Sequence, residues 1–305
     1  MKNSKFSLLG SLLLLGSHLA IGQRTLASVS FEAKEISAVE VRGSFCDVTI
    51  RPGSRNYVEG TIAGSGDEDD YDIIAQIQGE TLVVRVETSY NKWNNITKGE
   101  IEITLDNVEE IRIDNSSGDI DIEDINARRI SLEASSGDIS AEELRGEMVL
   151  ASASSGNLTL IDIEADLRTH TSSGDQRLRQ VKGNVDAEST SGNITLNYFE
   201  GLVRMESTSG DITINYGKGL TSLRSTSGTI EGRSLMLDTD LILEATSGDI
   251  TLSLLNDPDD LSFDLESNSG DLDAGRYDGE DELYIKRGTF WIRGKTTSGD
   301  ISIDF

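Results

Sequence analysis

The chain has 305 residues and carries 54 acidic side chains against 27 Lys and Arg, a formal net charge of −27 at pH 7. So acidic a surface repels nucleic acid and anionic lipid, which argues against both as partners. One cysteine and two histidines are too few for an intrachain disulfide or a Cys/His zinc site.

The first 22 residues have the features of a signal peptide. Lys2 and Lys5 give a charged start, residues 8–15 are apolar, and Ala20-Ile21-Gly22 resembles a cleavage site. The apolar run is short for a membrane-spanning helix, and no later segment is long and apolar enough to cross as one. We therefore expect an exported protein without a transmembrane span, at the cell surface or outside the cell, with the periplasm as the alternative.

Residues 23–110 are predicted to form degenerate first rungs of a repeat or an N-terminal capping β-segment. Segments 82–86 and 101–105 are strand-like, and Trp93 lies in a polar loop between them. The segment Phe45-Cys46-Asp47-Val48 takes the place of the Ser-Gly-Asp-Ile unit that recurs further along the chain. We therefore predict that Cys46 is a partly buried structural thiol at a turn, with intermolecular pairing as the alternative.

A Ser-Gly unit then recurs from residue 111 to the end, mostly followed by Asp or Asn and by Ile or Leu. Successive glycines are 18 to 22 residues apart, except for a last gap of 29. A fixed period of this size indicates a solenoid of stacked rungs. The predicted turn glycines are Gly118, Gly137, Gly156, Gly174, Gly192, Gly210, Gly228, Gly248, Gly270 and Gly299.

Apolar residues alternate with a period of two before and after each glycine, which is the strand period. The glycine marks one bend, and a further bend is expected near the seventh position after it. The sequence therefore predicts an all-β protein, a three-sided, right-handed parallel β-solenoid (β-helix) with rungs of about 18–19 residues. We expect each glycine to supply a positive φ and the following Asp or Asn to hydrogen-bond locally.

Polar residues at shared offsets test this stacking. Six residues before the glycine, consecutive rungs carry Arg168, Asp186 and Arg204. Stacked about 4.8 Å apart, these side chains form an alternating-charge ladder, and the set Glu206, Arg224 and Glu244 forms a second one. The regular solenoid is predicted to span 111–305, with an acidic insertion near 275–294.

The recurrent Ser-Ser-Gly-Asp-Ile and Thr-Ser-Gly-Asp-Ile units resemble the putative-adhesin family of bacterial exported β-helix domains, otherwise of unknown function. Residues 189–196 and 207–214 carry the likeness most clearly, and it extends over about 35–305. The resemblance implies a β-helical exported protein with a surface or adhesive role. It carries over no binding residue.

Candidate catalytic groups are few. His170 is the only histidine outside the predicted signal peptide, and we expect it to point outward between Ser152 and Glu188, with no nucleophile in view. Stacked carboxylates such as Glu188 and Glu206 could serve a polysaccharide-modifying enzyme, but pairs of this kind follow from the acidic composition alone. We therefore predict no catalytic residue and no enzymatic activity.

Calcium is the one cofactor that the acidic sequence suggests. Acidic segments 67–70 and 257–260, and the carboxylates after the turn glycines, could offer oxygen ligands. Asn157, Asn193 and Thr229 interrupt that carboxylate column, and the glycine-rich nonapeptide of calcium-binding β-rolls is missing. The expectation is no cofactor, with calcium as the weaker alternative.

Tyr198 and Tyr216 stand at matching offsets after Gly192 and Gly210, so they should stack on neighbouring rungs as a candidate glycan contact. Cross-strand stacking alone is the simpler interpretation. The predicted function is a non-enzymatic, adhesin-like surface or scaffold that binds proteins or polysaccharides of the envelope or extracellular surface. The alternatives are a polysaccharide-modifying enzyme and a periplasmic structural or assembly module.

Overall fold

The computed structural model describes residues 24–89 and 96–305, which form 25 β-strands and two short 3-10 turns, Glu68–Asp70 and Pro258–Asp260. The predicted signal peptide and Trp93 lie outside the described residues. No helix in the described ranges is long and apolar enough to span a membrane. The prediction of an all-β chain is confirmed.

The centre of the molecule is a stack of parallel strands that pair with the equivalent residues one repeat later. Ile194 pairs with Ile212, and Ile212 with Ile230, and all three are fully buried. We call the chain from one Ser-Gly unit to the next a rung. The strands are β8 (Glu110–Asn115), β9 (Ile120–Asn126), β10 (Arg129–Ala134), β11 (Ile139–Ala153), β12 (Leu158–Thr171), β13 (Gln176–Lys182), β14 (Val185–Ser189), β15 (Ile194–Ser207), β16 (Ile212–Ser225), β17 (Ile230–Met236), β18 (Leu241–Ala245) and β19 (Ile250–Leu254).

The predicted columns of like residues are present inside and outside the stack. Alternate side chains of each strand are buried, so that the interior is a continuous apolar column. Outside, Arg168, Asp186 and Arg204 lie on successive strands, with Arg168 Nε 3.6 Å from Asp186 Oδ2. In the second ladder Arg224 Nε is 3.0 Å from Glu244 Oε2. Both predicted charge ladders are confirmed.

One rung departs from the apolar pattern, because Gln176 stands where the other rungs carry Ile or Leu. Its side chain is fully buried, and its Nε2 donates to Thr171 Oγ1 (3.1 Å) and to the carbonyl oxygen of Glu188 (2.6 Å). Thr169 Oγ1 donates to Gln176 Oε1 at 2.5 Å. The buried amide is therefore satisfied, as polar groups inside proteins are.

The turn glycines are needed for a reason other than the predicted one. Only Gly248 and Gly299 among the ten have φ in the left-handed region, at 146° and 149°, so the positive-φ prediction is wrong for the other eight. Instead, a Cβ on Gly137 or Gly156 would overlap the carbonyl oxygen of the glycine on the preceding rung. The backbones pass too closely at this corner for any side chain.

The Asp or Asn after each glycine bonds to the next rung rather than locally. Asp138 N–H donates to Asp119 Oδ1 (2.8 Å), and Asn157 N–H donates to Asp138 Oδ1 (2.7 Å). The same bond recurs up to Thr229, which donates to Asp211 Oδ1. These side chains supply the acceptor for a backbone N–H that the bend removes from the regular ladder. The prediction of a local bond is therefore wrong.

The N-terminal strands do not stack in chain order. β2 and β3 pair on one side with β8 and β9 and on the other with β6 and β7, so the first rung of the chain is the second in the stack. Antiparallel β4 and β5 cover β7 and β6, and β1 pairs with β4. The strands are β1 (Arg24–Ala33), β2 (Ala38–Ser44), β3 (Asp47–Pro52), β4 (Asn56–Gly64), β5 (Tyr71–Gln78), β6 (Thr81–Thr88) and β7 (Ile96–Leu105).

Cys46 occupies the turn column between two glycines. A Cβ on Gly118 would overlap the Cys46 carbonyl oxygen, and one on Gly99 would lie 2.6 Å from Cys46 Sγ. The thiol is buried, and burial, followed by the charges of Asp47 and Glu100, raises its pKa to about 12. This geometry favours the structural interpretation, because a buried, protonated thiol cannot pair with a second molecule unless the corner opens.

The C-terminal end is interleaved in the same way. β24 and β25 lie between β18–β19 and β20–β21, so the last rung of the chain is not the last in the stack. Antiparallel β22 and β23, within the predicted acidic insertion, pair with β21 and β20 along their outer edge. The strands are β20 (Leu261–Ser267), β21 (Leu272–Ala274), β22 (Tyr277–Gly279), β23 (Glu282–Ile285), β24 (Phe290–Thr296) and β25 (Ile301–Asp304).

We predict that Gly156→Ala lowers the free energy of unfolding by about 1–3 kcal/mol, because the added Cβ forces neighbouring rungs to shift. Urea unfolding followed by circular dichroism measures the change. Gly79→Asn is the matched control: its φ of 65° suits Asn, and nothing lies within 4 Å of an added Cβ. A Gly156→Ala protein as stable as the wild type contradicts this account of the turn column.

We predict that Asn193→Ala lowers the free energy of unfolding by about 0.5–1.5 kcal/mol, because the exposed Asp211 N–H exchanges its acceptor, Asn193 Oδ1 at 2.9 Å, for water. Asn193→Asp keeps an oxygen at the same place and should leave the urea midpoint close to that of the wild type. Equal urea midpoints for the Ala and Asp variants would show that the hydrogen bond between rungs adds nothing to the stability of the protein.

Candidate ligand surface at the positive-φ corner

A second corner of the rung, six residues after the turn glycine, places side chains on one outer edge of the stack. The residues there have φ between 52° and 61° although none is glycine. This left-handed conformation is costly for residues with a Cβ. We call this row the corner edge; it consists of Asp124, Glu143, Asp162, Gln180, Tyr198, Tyr216 and Ser234.

Tyr198 and Tyr216 are the aromatic members of the corner edge. Their ring centroids are 5.1 Å apart with planes inclined by 11°, and their residues are 52% and 49% exposed. Nearly parallel rings at this separation must overlap face to face, because rings lying side by side would be further apart. The predicted stack is confirmed, and about half of each tyrosine remains exposed to solvent.

The backbone beneath the tyrosine pair is held in one position. The buried ring of Phe199 fills the space left by Gly217 on the next rung, where a Cβ would overlap the ring. On the other side, Asn215 Nδ2 donates to Asn197 Oδ1 at 3.0 Å. Packing on one flank and a side-chain hydrogen bond on the other therefore fix the two tyrosines relative to each other.

A ladder of alternating charges runs beside the corner edge, two residues further along each rung. Lys182 Nζ lies 2.9 Å from Glu164 Oε1, and Lys218 Nζ lies 2.9 Å from Glu200 Oε1. Hydrogen bonds from the lysines lower the pKa of both carboxyl groups, and the same bonds raise the pKa of both lysines. All four groups are therefore ionised at neutral pH, and their charges cancel in pairs.

An open groove of about 440 Å³ lies where the corner edge and the charge ladder meet, and Tyr198 and Tyr216 both line it. Strand register puts Gln180 beside Tyr198 and Asp162 beyond it. Within the described ranges, the side chains of Asp162 and Gln180 have no hydrogen bond and no ion pair within 4.0 Å, although the charge of Asp162 helps to raise the pKa of Lys182. The sequence interpretation passed over both residues, although they share the six-residue offset of the tyrosines.

The candidate catalytic residues are not assembled into a site. His170 is exposed between Ser152 and Glu188, as predicted, with its Nδ1 4.0 Å from Glu188 Oε2. Glu188 and Glu206 are neighbours on successive strands, and Arg204 Nη2 donates to Glu206 Oε2 at 2.7 Å. One carboxylate of this pair is therefore already bound to a guanidinium group.

The acidic segments proposed for calcium make internal contacts. Asp67 Oδ1 accepts from the Asp69 N–H (3.3 Å), and Asp257 Oδ1 accepts from the Asp259 N–H (3.0 Å). Arg276 and Arg287 both pair with the Asp259 carboxylate at 3.0 Å. No group of three His, Cys, Asp or Glu side chains suited to a metal occurs in the described part of the chain. The expectation of no cofactor, with calcium as the weaker alternative, stays a prediction.

The strands and corners described above define an all-β repeat protein with a β-solenoid-like fold. A family model, Toastrack DUF4097, matches residues 36–215 and 198–304, and the chain belongs to this family. The predicted resemblance is thereby confirmed. No curated protein matches the chain.

Solved structures that resemble the chain share little sequence with it. A putative adhesin from Bacteroides fragilis is 15% identical with a TM-score of 0.43, and the alignment covers 93% of this chain and 98% of that one. A putative lipid binding protein from Parabacteroides distasonis is 11% identical, with a TM-score of 0.41 and coverage of 92% and 97%. A putative adhesin from the same organism is 9% identical, with a TM-score of 0.40 and coverage of 90% and 95%.

We predict that Tyr198→Asn combined with Tyr216→Asn changes the free energy of unfolding by less than about 1 kcal/mol. Losing the ring pair costs about 0.5–1.5 kcal/mol, but Asn adopts the left-handed conformation more easily than Tyr. Urea unfolding tests this, with Phe199→Ala as a comparison that removes a buried ring at about 3–5 kcal/mol. A loss as large in the Asn variant as in Phe199→Ala would show that the tyrosines serve the fold.

Proposed function

We propose that this protein is a non-enzymatic, exported β-solenoid that acts as an adhesin-like surface or scaffold and binds envelope or extracellular ligands. The observation that carries the proposal is the register of the stack, which converts one exposed position per rung into a fixed row of side chains. Such a row suits a long ligand that makes the same contact several times.

In this proposal the solenoid is three-sided and right-handed, with rungs of about 18–19 residues. Three recurring corners support the three sides: the Ser-Gly corner, the corner edge, and a third corner at Gly183, Gly201 and Gly219. The φ values at this last corner are 143°, 146° and 95°, and a Cβ there would overlap the preceding rung. Three bends per rung divide the chain into three short sides.

The carboxyl groups with shifted pKa values support binding rather than cleavage. The pKa of Glu164 and Glu200 is lowered by lysine hydrogen bonds, and that of Asp240 by a hydrogen bond from the Trp291 N–H. Cleavage of a glycosidic bond needs one carboxyl group with a raised pKa to protonate the leaving oxygen. Shifts in the opposite direction favour fixed surface charges.

We predict that the chain expressed in a bacterial host leaves the cytoplasm, with Gln23 as its first residue after cleavage. N-terminal sequencing of the fractionated protein measures the cleavage, and protease treatment of intact cells measures exposure. Degradation by the added protease supports a surface role, whereas protection inside the periplasm favours an assembly module. A cytoplasmic chain that retains its first 22 residues contradicts the proposal.

A binding assay tests the proposed binding of envelope or extracellular ligands. Purified protein should bind immobilised envelope or extracellular polymer more strongly than a Gly156→Ala variant whose stack is disturbed. Hydrolysis of that polymer, detected as new reducing ends that a heat-denatured sample does not produce, would favour the enzyme alternative instead.

A further inference from the structure

We propose that the exposed ring of Tyr198 is part of a saccharide-binding site, with Gln180 and Asp162 as its polar contacts and a neutral oligosaccharide of three or four rings as its ligand. This inference rests on the proposed binding function and names its ligand class and site. The juxtaposition that carries it is a half-exposed tyrosine ring in one groove with two polar side chains that make no hydrogen bond.

The order of these side chains follows from the strand register. A ligand that runs along the groove passes Tyr198, then Gln180 one rung away and Asp162 one rung further. Successive rungs are about 4.8 Å apart, a spacing close to the length that one sugar unit adds to an extended oligosaccharide. One sugar ring can therefore contact the exposed Tyr198 ring while the next two pass over the Gln180 and Asp162 rungs.

The chemistry of these side chains matches a ring with an apolar face and a polar rim. The tyrosine face supplies apolar contact area. The Gln180 amide can both donate and accept, and the Asp162 carboxylate accepts from hydroxyl groups. Both are free to do so, because neither has a hydrogen-bond partner in the described part of the chain. The groove, at about 440 Å³, falls within the usual range for small-ligand sites.

The charges around the groove select a neutral ligand. Lys182 and Lys218 are already paired with Glu164 and Glu200, so neither lysine is available to a ligand carboxylate. Asp162 adds a further negative charge beside Lys182, whose pKa it helps Glu164 to raise, in a chain with a formal net charge of −27. An acidic polysaccharide would be repelled at this point.

The backbone gives an independent reason to assign a role to these tyrosines. Elsewhere on the corner edge, the left-handed position holds Asp, Glu, Gln or Ser. An aromatic residue gains nothing from this backbone conformation, and its ring is half exposed rather than packed in the core. A strained residue kept on the surface points to a contact outside the protein.

The experiment is saturation-transfer NMR of the full exported chain with a panel of neutral tetrasaccharides built from glucose, galactose, mannose or N-acetylglucosamine. We expect transfer to the ring C–H protons of at least one sugar. Tyr198→Asn should weaken that binding by about tenfold or more. Tyr198→Phe should retain binding, and Asp162→Asn should weaken it.

Tyr284→Ser is the matched control. It removes another exposed tyrosine (56% exposed), whose ring lies 5.7 Å from Trp291 near the C-terminal end of the stack. This control should bind the sugar as the wild type does. Thermal melting of each variant checks that loss of binding is not loss of fold.

Three outcomes overturn the inference. The first is a Tyr198→Asn protein that binds sugar as tightly as the wild type. The second is saturation transfer to tetramethylammonium but to none of the sugars, which would indicate a cation site on the tyrosine ring. In the third, no tetrasaccharide binds although the wild type still binds envelope polymer. That result removes the saccharide site and leaves the proposed binding function standing, whereas absence of both interactions removes the two together.

Discussion

The structure depends on the close passage of one backbone over another at the Ser-Gly corner. There, the peptide group of one rung rests on the turn glycine of the next, with no room for a Cβ between them. The neighbouring Asp and Asn side chains then continue the hydrogen-bond ladder around the bend. Cys46 is tolerated in this column because its corner differs: Ser44 has φ of 60°, and the register shifts between Arg42 and Ser44.

The sequence predicts the middle of the stack well because its information is periodic. A repeat of fixed length places Ile194, Ile212 and Ile230 in one column, and period-two alternation then decides which side chains are inside. The conformation of the corners is harder to derive from the sequence. Glycine at a turn suggests positive φ, but eight of the ten turn glycines lack it, and in seven rungs a positive φ falls on residues of mixed type six positions later, where no composition signal marks it.

The ends of the stack show a second limit. A Ser-Gly unit locates a rung in the chain but does not say which other rung packs beside it. At each end of the stack, the terminal rung of the chain lies between two other rungs. One clue was present in the charges. Stacked in chain order, Glu244 would face Glu266, whereas the observed order places Lys295 between them, with its Nζ 2.7 Å from Glu266 Oε2. Gly99 carried a similar clue in its Gly-Glu-Ile sequence.

The interleaved ends also decide where a ligand can bind. An open parallel edge would accept a further rung from another molecule, but antiparallel β4 and β5 cover one end and β22 and β23 the other. In the proposed function, ligands are therefore recognised along the sides, where register turns single residues into rows. The tyrosine offsets were readable from the sequence, but the exposure of Tyr198 and the groove that it shares with Gln180 and Asp162 depend on the ring geometry and the strand pairing. Because neighbouring rungs hold these groups at fixed spacing, a ligand that binds them meets a surface already in place and loses little free energy to ordering it.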